Sequence, residues 1–129
     1  MRPAAAVCLG SGFSGAPSPV TGTVPLDSFC RGGPAPVPFW LVHGTRDAVV
    51  GVAHSRAFAA ALADRGWPVR LYEPATDHAG VVMAEHDPGL RRARPAARGH
   101  AVLAGQLSAA VMAAACGVAP APAGQAVAP

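Results

Sequence analysis

The chain has 129 residues, of which 51% are hydrophobic and 13% charged, with a formal net charge of +3. That is the make-up of a globular chain rather than a disordered one, and the length suits one modest domain. Every basic residue apart from histidine is arginine and aromatic residues make up 5%. There is thus no lysine for a phosphate-binding loop and little to stack on bases, so nucleic-acid binding is not expected.

In chain order, Ala4 to Leu9 (AAAVCL) reads as a short strand with Gly10 to Gly15 as its exit loop. The apolar run is too brief for a secretory core, and Val7 precedes Cys8 where a lipoprotein cleavage site prefers a small residue, so a cytoplasmic location is the default expectation. Ala16 to Pro36 carries Pro17, Pro19, Pro25, Pro34 and Pro36 among several glycines, and no helix is expected there. Val37 to His43 (VPFWLVH) is a mostly apolar run stopped by Gly44, which predicts a strand buried on both faces. From Ala53 to Arg65 the spacing is helical. Phe58 and Leu62 share a stripe with Ala57 and Ala61, Arg56, Asp64 and Arg65 are left for solvent, and Gly66 is the stop. Val69 to Glu73 (VRLYE) alternates like a second strand.

Beyond it, Ala84 to Gly99 reads as a loop with Pro88 and Pro95, in which Arg91, Arg92, Arg94 and Arg98 form a solvated basic run. Val102 to Cys116 predicts a closing helix with Leu103, Leu107 and Val111 as its stripe and Gly117 as its end. The richness of 101–119 in alanine, instead of leucine or phenylalanine, favours a helix packed on a sheet over a membrane span. Residues 1–118 are expected to form the folded unit, and 119–129 (APAPAGQAVAP) a disordered Pro/Ala tail.

Strand, helix, strand at this spacing is a βαβ unit, which makes the two strands parallel and brings their carboxyl ends to one edge. Asp47 follows the first strand and His78 the second, so residues distant in sequence meet where open α/β sheets carry their sites. Each has a plainer reading, Asp47 as a turn or helix-cap residue and His78 as a solvated side chain. His43, Asp47, Asp77, His78, His86 and Asp87 include metal-ligand types, but no HExxH or comparable spacing appears, and neither a metal nor a cofactor is expected. Cys8, Cys30 and Cys116 are odd in number and far apart, which fits ordinary thiols.

The residues His43-Gly44-Thr45-Arg46-Asp47-Ala48-Val49-Val50, followed after a helix and a strand by Asp77-His78-Ala79-Gly80, resemble the carboxyl-terminal part of the α/β-hydrolase fold. There, a strand ending in H-G-x-x-D-x-x-V leads through a helix to the strand that precedes the catalytic histidine. The resemblance covers Phe39 to Gly80 and is similar to carboxylesterases, dienelactone hydrolases, polyester depolymerases and prolyl-oligopeptidase-like peptidases alike. It implies Asp47 as triad acid and His78 as triad base, with acid before histidine in the chain. Such a pair would act on a small-molecule ester or related acyl substrate. His43 is read as structural, packing at the strand end or bonding to backbone.

A nucleophile elbow needs a strand, a tight glycine-flanked turn and a helix. Ala6-Val7-Cys8-Leu9-Gly10 lacks the first glycine, and Gly12-Phe13-Ser14-Gly15-Ala16 the last. The proline-rich stretch behind them provides no helix, so Cys8 is expected to pack and Ser14 to bond within its loop. Residues 4–9 instead resemble the family's small-residue strand that ends in a Ser-Gly pair, here Ser11-Gly12. The expectation is therefore a carboxyl-terminal portion of such a hydrolase, inactive as it stands and able to self-associate through an open sheet edge. The alternative is a non-catalytic module that binds a partner.

Overall fold

Apolar runs set between glycine and proline stops form the strands of one mixed sheet. The computed structural model describes residues 4–13, 15, 17–28 and 35–127. In it β1 (Ala6–Leu9), β2 (Phe39–Val42) and β3 (Val69–Tyr72) run parallel in the order β1-β2-β3. Ala6 stands opposite Phe39, and Phe39 opposite Val69. Because side chains alternate along a strand, this register sends Ala6, Cys8, Phe39, Leu41, Val69 and Leu71 to one face, and Val7, Leu9, Trp40, Val42 and Tyr72 to the other. The mixed α/β architecture and the parallel pairing of the two strands around the helix are as the spacing predicts.

The proline-rich stretch does hold one helical turn, α1 (Pro25–Ser28). Proline at a helix's first position loses no hydrogen bond and has its φ already set, which is why the expectation of no helix fails there. The Ser14 and Cys30 assignments lie outside the described residues.

The first sheet face is covered by α2 (Ala53–Asp64), which buries Ser55, Phe58, Ala59 and Leu62. Phe58 stacks on Phe13 with ring centroids 3.9 Å apart and meets Phe39 edge-on at 5.6 Å. Burying a side chain of this kind contributes about 1.5–3 kcal/mol, so Leu41, Phe58 and Leu62 anchor this layer. The inward arc runs through Ala59 rather than Ala57, which is exposed, because the core lies on the far side of Phe58 from Ala57. The helix ends at Gly66, whose φ of +72° only glycine adopts without strain.

The second face is covered by α3 (His100–Ala115) and a 3₁₀ turn at Gly80–Val82. Leu103, expected in the buried stripe, is 69% exposed, whereas Ala101, Ala104, Gly105, Ser108 and Val111 are buried. Small residues let the helix approach the chain closely: a Cβ on Gly105 would stand 2.4 Å from Cβ of Met83. No helix among the described residues is long and apolar enough to cross a membrane.

Two further expectations are corrected. The 84–99 segment is not a plain loop: β4 (Ala84–Asp87) and β5 (Arg92–Pro95) pair as an antiparallel hairpin. Asp87 closes its turn by accepting the N–H groups of Gly89 and Leu90, and Arg94 pairs with Glu85 at 2.8 Å and Asp87 at 3.2 Å. The Pro/Ala tail also carries structure, because β6 (Gln125–Val127) adds antiparallel to β3. An open strand edge presents unpaired backbone groups, and these residues satisfy them on the β3 side. The Tyr72 hydroxyl donates to the Pro122 carbonyl at 3.2 Å, and Gly124 sits against the Tyr72 ring, leaving no room for a Cβ. Among the described residues β1 is the other edge of the sheet.

Candidate active site

The carboxyl ends of β2 and β3 lead into two loops that are locked together. Gly44 lies so close to the second loop that a Cβ there would stand 2.3 Å from the Thr76 carbonyl oxygen, which explains why glycine follows His43. Backbone bonds run from Thr45 N–H to the Pro74 carbonyl and from Arg46 N–H to the Thr76 carbonyl, each 3.0 Å, and the Arg46 guanidinium donates to the Ala75 carbonyl. Thr76 is fully buried, with its hydroxyl 2.8 Å from Nδ1 of His100 at the start of α3. The first loop carries Asp47 and the second His78.

Asp47 is buried, its side chain wholly so, yet it is surrounded by donors. Oδ1 accepts the N–H groups of Val49 (2.9 Å) and Val50 (2.8 Å), and Oδ2 accepts Nδ1–H of His78 at 2.8 Å. Burial pushes the carboxyl group's pKa upward. The hydrogen bonds from Val50, His78 and Val49, together with the charge of His78, outweigh that and hold it below the ordinary carboxylate value. An ionised Asp47 only accepts, so the His78 proton sits on Nδ1 and the Nε2 lone pair is left free. The His78 side chain is 44% exposed. This is the arrangement a general base needs: one nitrogen oriented by a carboxylate, the other open.

Gly10, at the end of β1, lies under this pair. Its φ is +58°, and a Cβ there would stand 3.4 Å from Nδ1 of His78 and 3.6 Å from Oδ2 of Asp47. The imidazole thus reaches from the β3 loop across β2 to the end of β1.

The other sequence candidates fall elsewhere. Asp77 accepts the Gly80 N–H at 2.9 Å and caps the 3₁₀ turn, so it orients backbone rather than the ring. Cys8 faces the α2 side of the sheet among the packed apolar residues, and burial raises its pKa, which disfavours the thiolate. Cys116 is exposed just past α3. His86 and Asp87 lie on the hairpin. Among the described residues, no three His, Cys, Asp or Glu side chains gather as metal ligands. Nor does any hydroxyl or thiol among them bond to Nε2 of His78.

His43 is more engaged than its sequence reading implies. It is completely buried, with Nε2 2.7 Å from the Val50 carbonyl and 3.3 Å from Oδ2 of Asp47, and Nδ1 2.6 Å from the Ser55 hydroxyl. The bond to backbone is as expected, whereas the bond to Ser55 and the close approach to Asp47 are additional. The only trace of them in the sequence is a histidine four residues before the acid.

No family model, curated protein or solved structure matches the chain.

Proposed function

We propose that Asp47 and His78 are the acid and base of a serine-type α/β-hydrolase acting on carboxylic esters or related acyl bonds. The observation that carries this reading is the bond from His78 Nδ1–H to a buried, ionised Asp47, with the ring beside Gly10 at the end of β1 and no bond to Nε2 among the described residues. In such a reaction His78 takes the proton of an attacking hydroxyl at Nε2. Asp47 fixes the tautomer and stabilises the imidazolium, and the proton then passes to the leaving alcohol. A nucleophile on the adjacent position of the sheet suits this geometry. Neighbouring strands lie about 4.8 Å apart, so a strand added parallel to the free edge of β1 would end beside the imidazole. On this reading the chain supplies the carboxyl-terminal part of the catalytic domain.

The test is to express the chain together with the coding sequence upstream of it and assay hydrolysis of short-chain nitrophenyl esters, with fluorophosphonate labelling to locate the nucleophile. The expected result is a labelled serine outside residues 1–129 and loss of both labelling and turnover in His78→Ala. Turnover unaffected by His78→Ala overturns the reading. A protein that binds at β1 but neither labels nor hydrolyses supports a non-catalytic partner-binding module instead, a reading favoured by the lack of a hydroxyl or thiol partner for His78 among the described residues.

A further inference from the structure

We propose that His43 is a positioning residue for the acid: a neutral imidazole, protonated at Nε2, that locks the Asp47 loop and so holds Oδ2 in hydrogen-bonding range of His78. The inference rests on the hydrolase reading for the use of the pair, not for its geometry. The Val50 carbonyl can only accept, so His43 must carry a proton on Nε2, and in the neutral ring Nδ1 then receives the Ser55 hydroxyl proton. Ser55 belongs to the first turn of α2, and His43 directly follows β2. The segment between them is therefore held from both sides. Asp47 Oδ1 gathers the Val49 and Val50 N–H groups, and the Val50 carbonyl is in turn held by His43.

Neutrality matters here because Nε2 of His43 is only 3.3 Å from Oδ2. A cationic His43 would compete with His78 for the same oxygen and weaken the preference for an imidazolium at His78. The histidines are the titratable side chains that reach Asp47, His43 from the end of β2 and His78 from the β3 loop, while the neighbouring Arg46 guanidinium turns away to the Ala75 carbonyl. A histidine that merely filled the core would need none of these bonds. Here its polar contacts all converge on the acid loop and the entry to α2.

The test is nitrogen-15 NMR of the histidine rings in the full 129-residue chain, with carbon-13 titration of the Asp47 carboxyl group in wild type, His43→Gln and His43→Leu. Glutamine keeps an N–H donor near the Nε2 position and leucine removes it. His43 is expected to show an Nε2–H and an unprotonated Nδ1, as its bonds to the Val50 carbonyl and the Ser55 hydroxyl require. The Asp47 midpoint should stay in place in His43→Gln and rise in His43→Leu, because the loop that presents the Val49 and Val50 N–H groups to the carboxylate is no longer held by the Val50 carbonyl. A His43 that carries a proton on Nδ1, or a leucine variant with an unmoved Asp47 midpoint, overturns the proposal. If His43→Leu does not fold, the wild-type tautomer still decides it. Absence of the Nδ1–H signal of His78 from the wild-type chain would instead remove the acid–base pair, and with it the hydrolase reading.

Discussion

Replacing Asp47 with asparagine tests the core of the site, and its outcome can be worked from the distances. The side-chain oxygen of asparagine can still accept the Val49 and Val50 N–H groups at the position of Oδ1, so the loop should keep its shape. At the position of Oδ2 an amide N–H₂ would meet Nδ1–H of His78 at 2.8 Å and Nε2–H of His43 at 3.3 Å, donors facing donors. His78 must then change tautomer, with its proton on Nε2 where a base needs a lone pair. A hydrogen bond to a charged group is worth about 1.5–3 kcal/mol. His78 is nearly half exposed and can turn to water, so the expected loss of stability at neutral pH is toward the lower end, about 1–2 kcal/mol.

Urea unfolding followed by the fluorescence of Trp40 and Trp67 measures this loss. The pH dependence supplies its sign. The folded-state pKa of Asp47 is lowered, so its contribution is complete above the ordinary carboxylate value and disappears as pH falls through the lowered one. The gap between wild type and variant should therefore close in acid. In an active, upstream-extended protein kcat should fall by about 10⁴-fold. A gap that is the same at neutral and acid pH, with His78 still protonated at Nδ1 in the variant, would refute the reasoning.

Asp77→Asn should lower activity of the extended protein by no more than about tenfold, since the amide oxygen can still accept the Gly80 N–H; kcat comparison with Asp47→Asn checks the assignment of the acid. Phe58→Ala, which removes a 2% exposed ring from between Phe13 and Phe39, should cost about 3–5 kcal/mol in urea unfolding. Gly105→Ala gains about 1 kcal/mol of helix propensity but overpacks against Met83 at a cost of about 1–3 kcal/mol, so thermal melting should show net destabilisation. The isolated chain should self-associate through the open edge of β1, and sedimentation showing a compact monomer at all concentrations would count against that.

The sequence makes the two parallel strands and α2 legible because β2 is an apolar run stopped by Gly44, α2 a helical spacing stopped by Gly66 and β3 an alternating run before Pro74, and Asp47 and His78 follow from their placement just past those strands. Other parts have no such signature. The hairpin strand β5 is exposed at every position, so no apolar alternation marks it, and its pairing relies on the Asp87 turn and the Arg94 ion pairs. In α3 the buried face is made of small residues, whereas a search for large apolar spacing selects Leu103, which faces out. The strand β6 forms in a Pro/Ala segment because β3 offers it an edge, a tertiary cause that local composition does not contain. The bond of His43 to Ser55 and its approach to Asp47 depend on the path of the β2–α2 loop, and spacing alone does not reveal them.

The interlock of the two loops at Gly44 and Thr76 bears on how a site of this kind could change its preferences. The separation of the Asp47 and His78 loops is set chiefly by main chain touching main chain, at Gly44 against Thr76 and through the Thr45 and Arg46 N–H bonds, so there is little room to widen or narrow it gradually. On the proposed reading, new specificity would have to be acquired around the pair, for example from the β1 exit loop, leaving the Asp47–His78 geometry to be inherited intact.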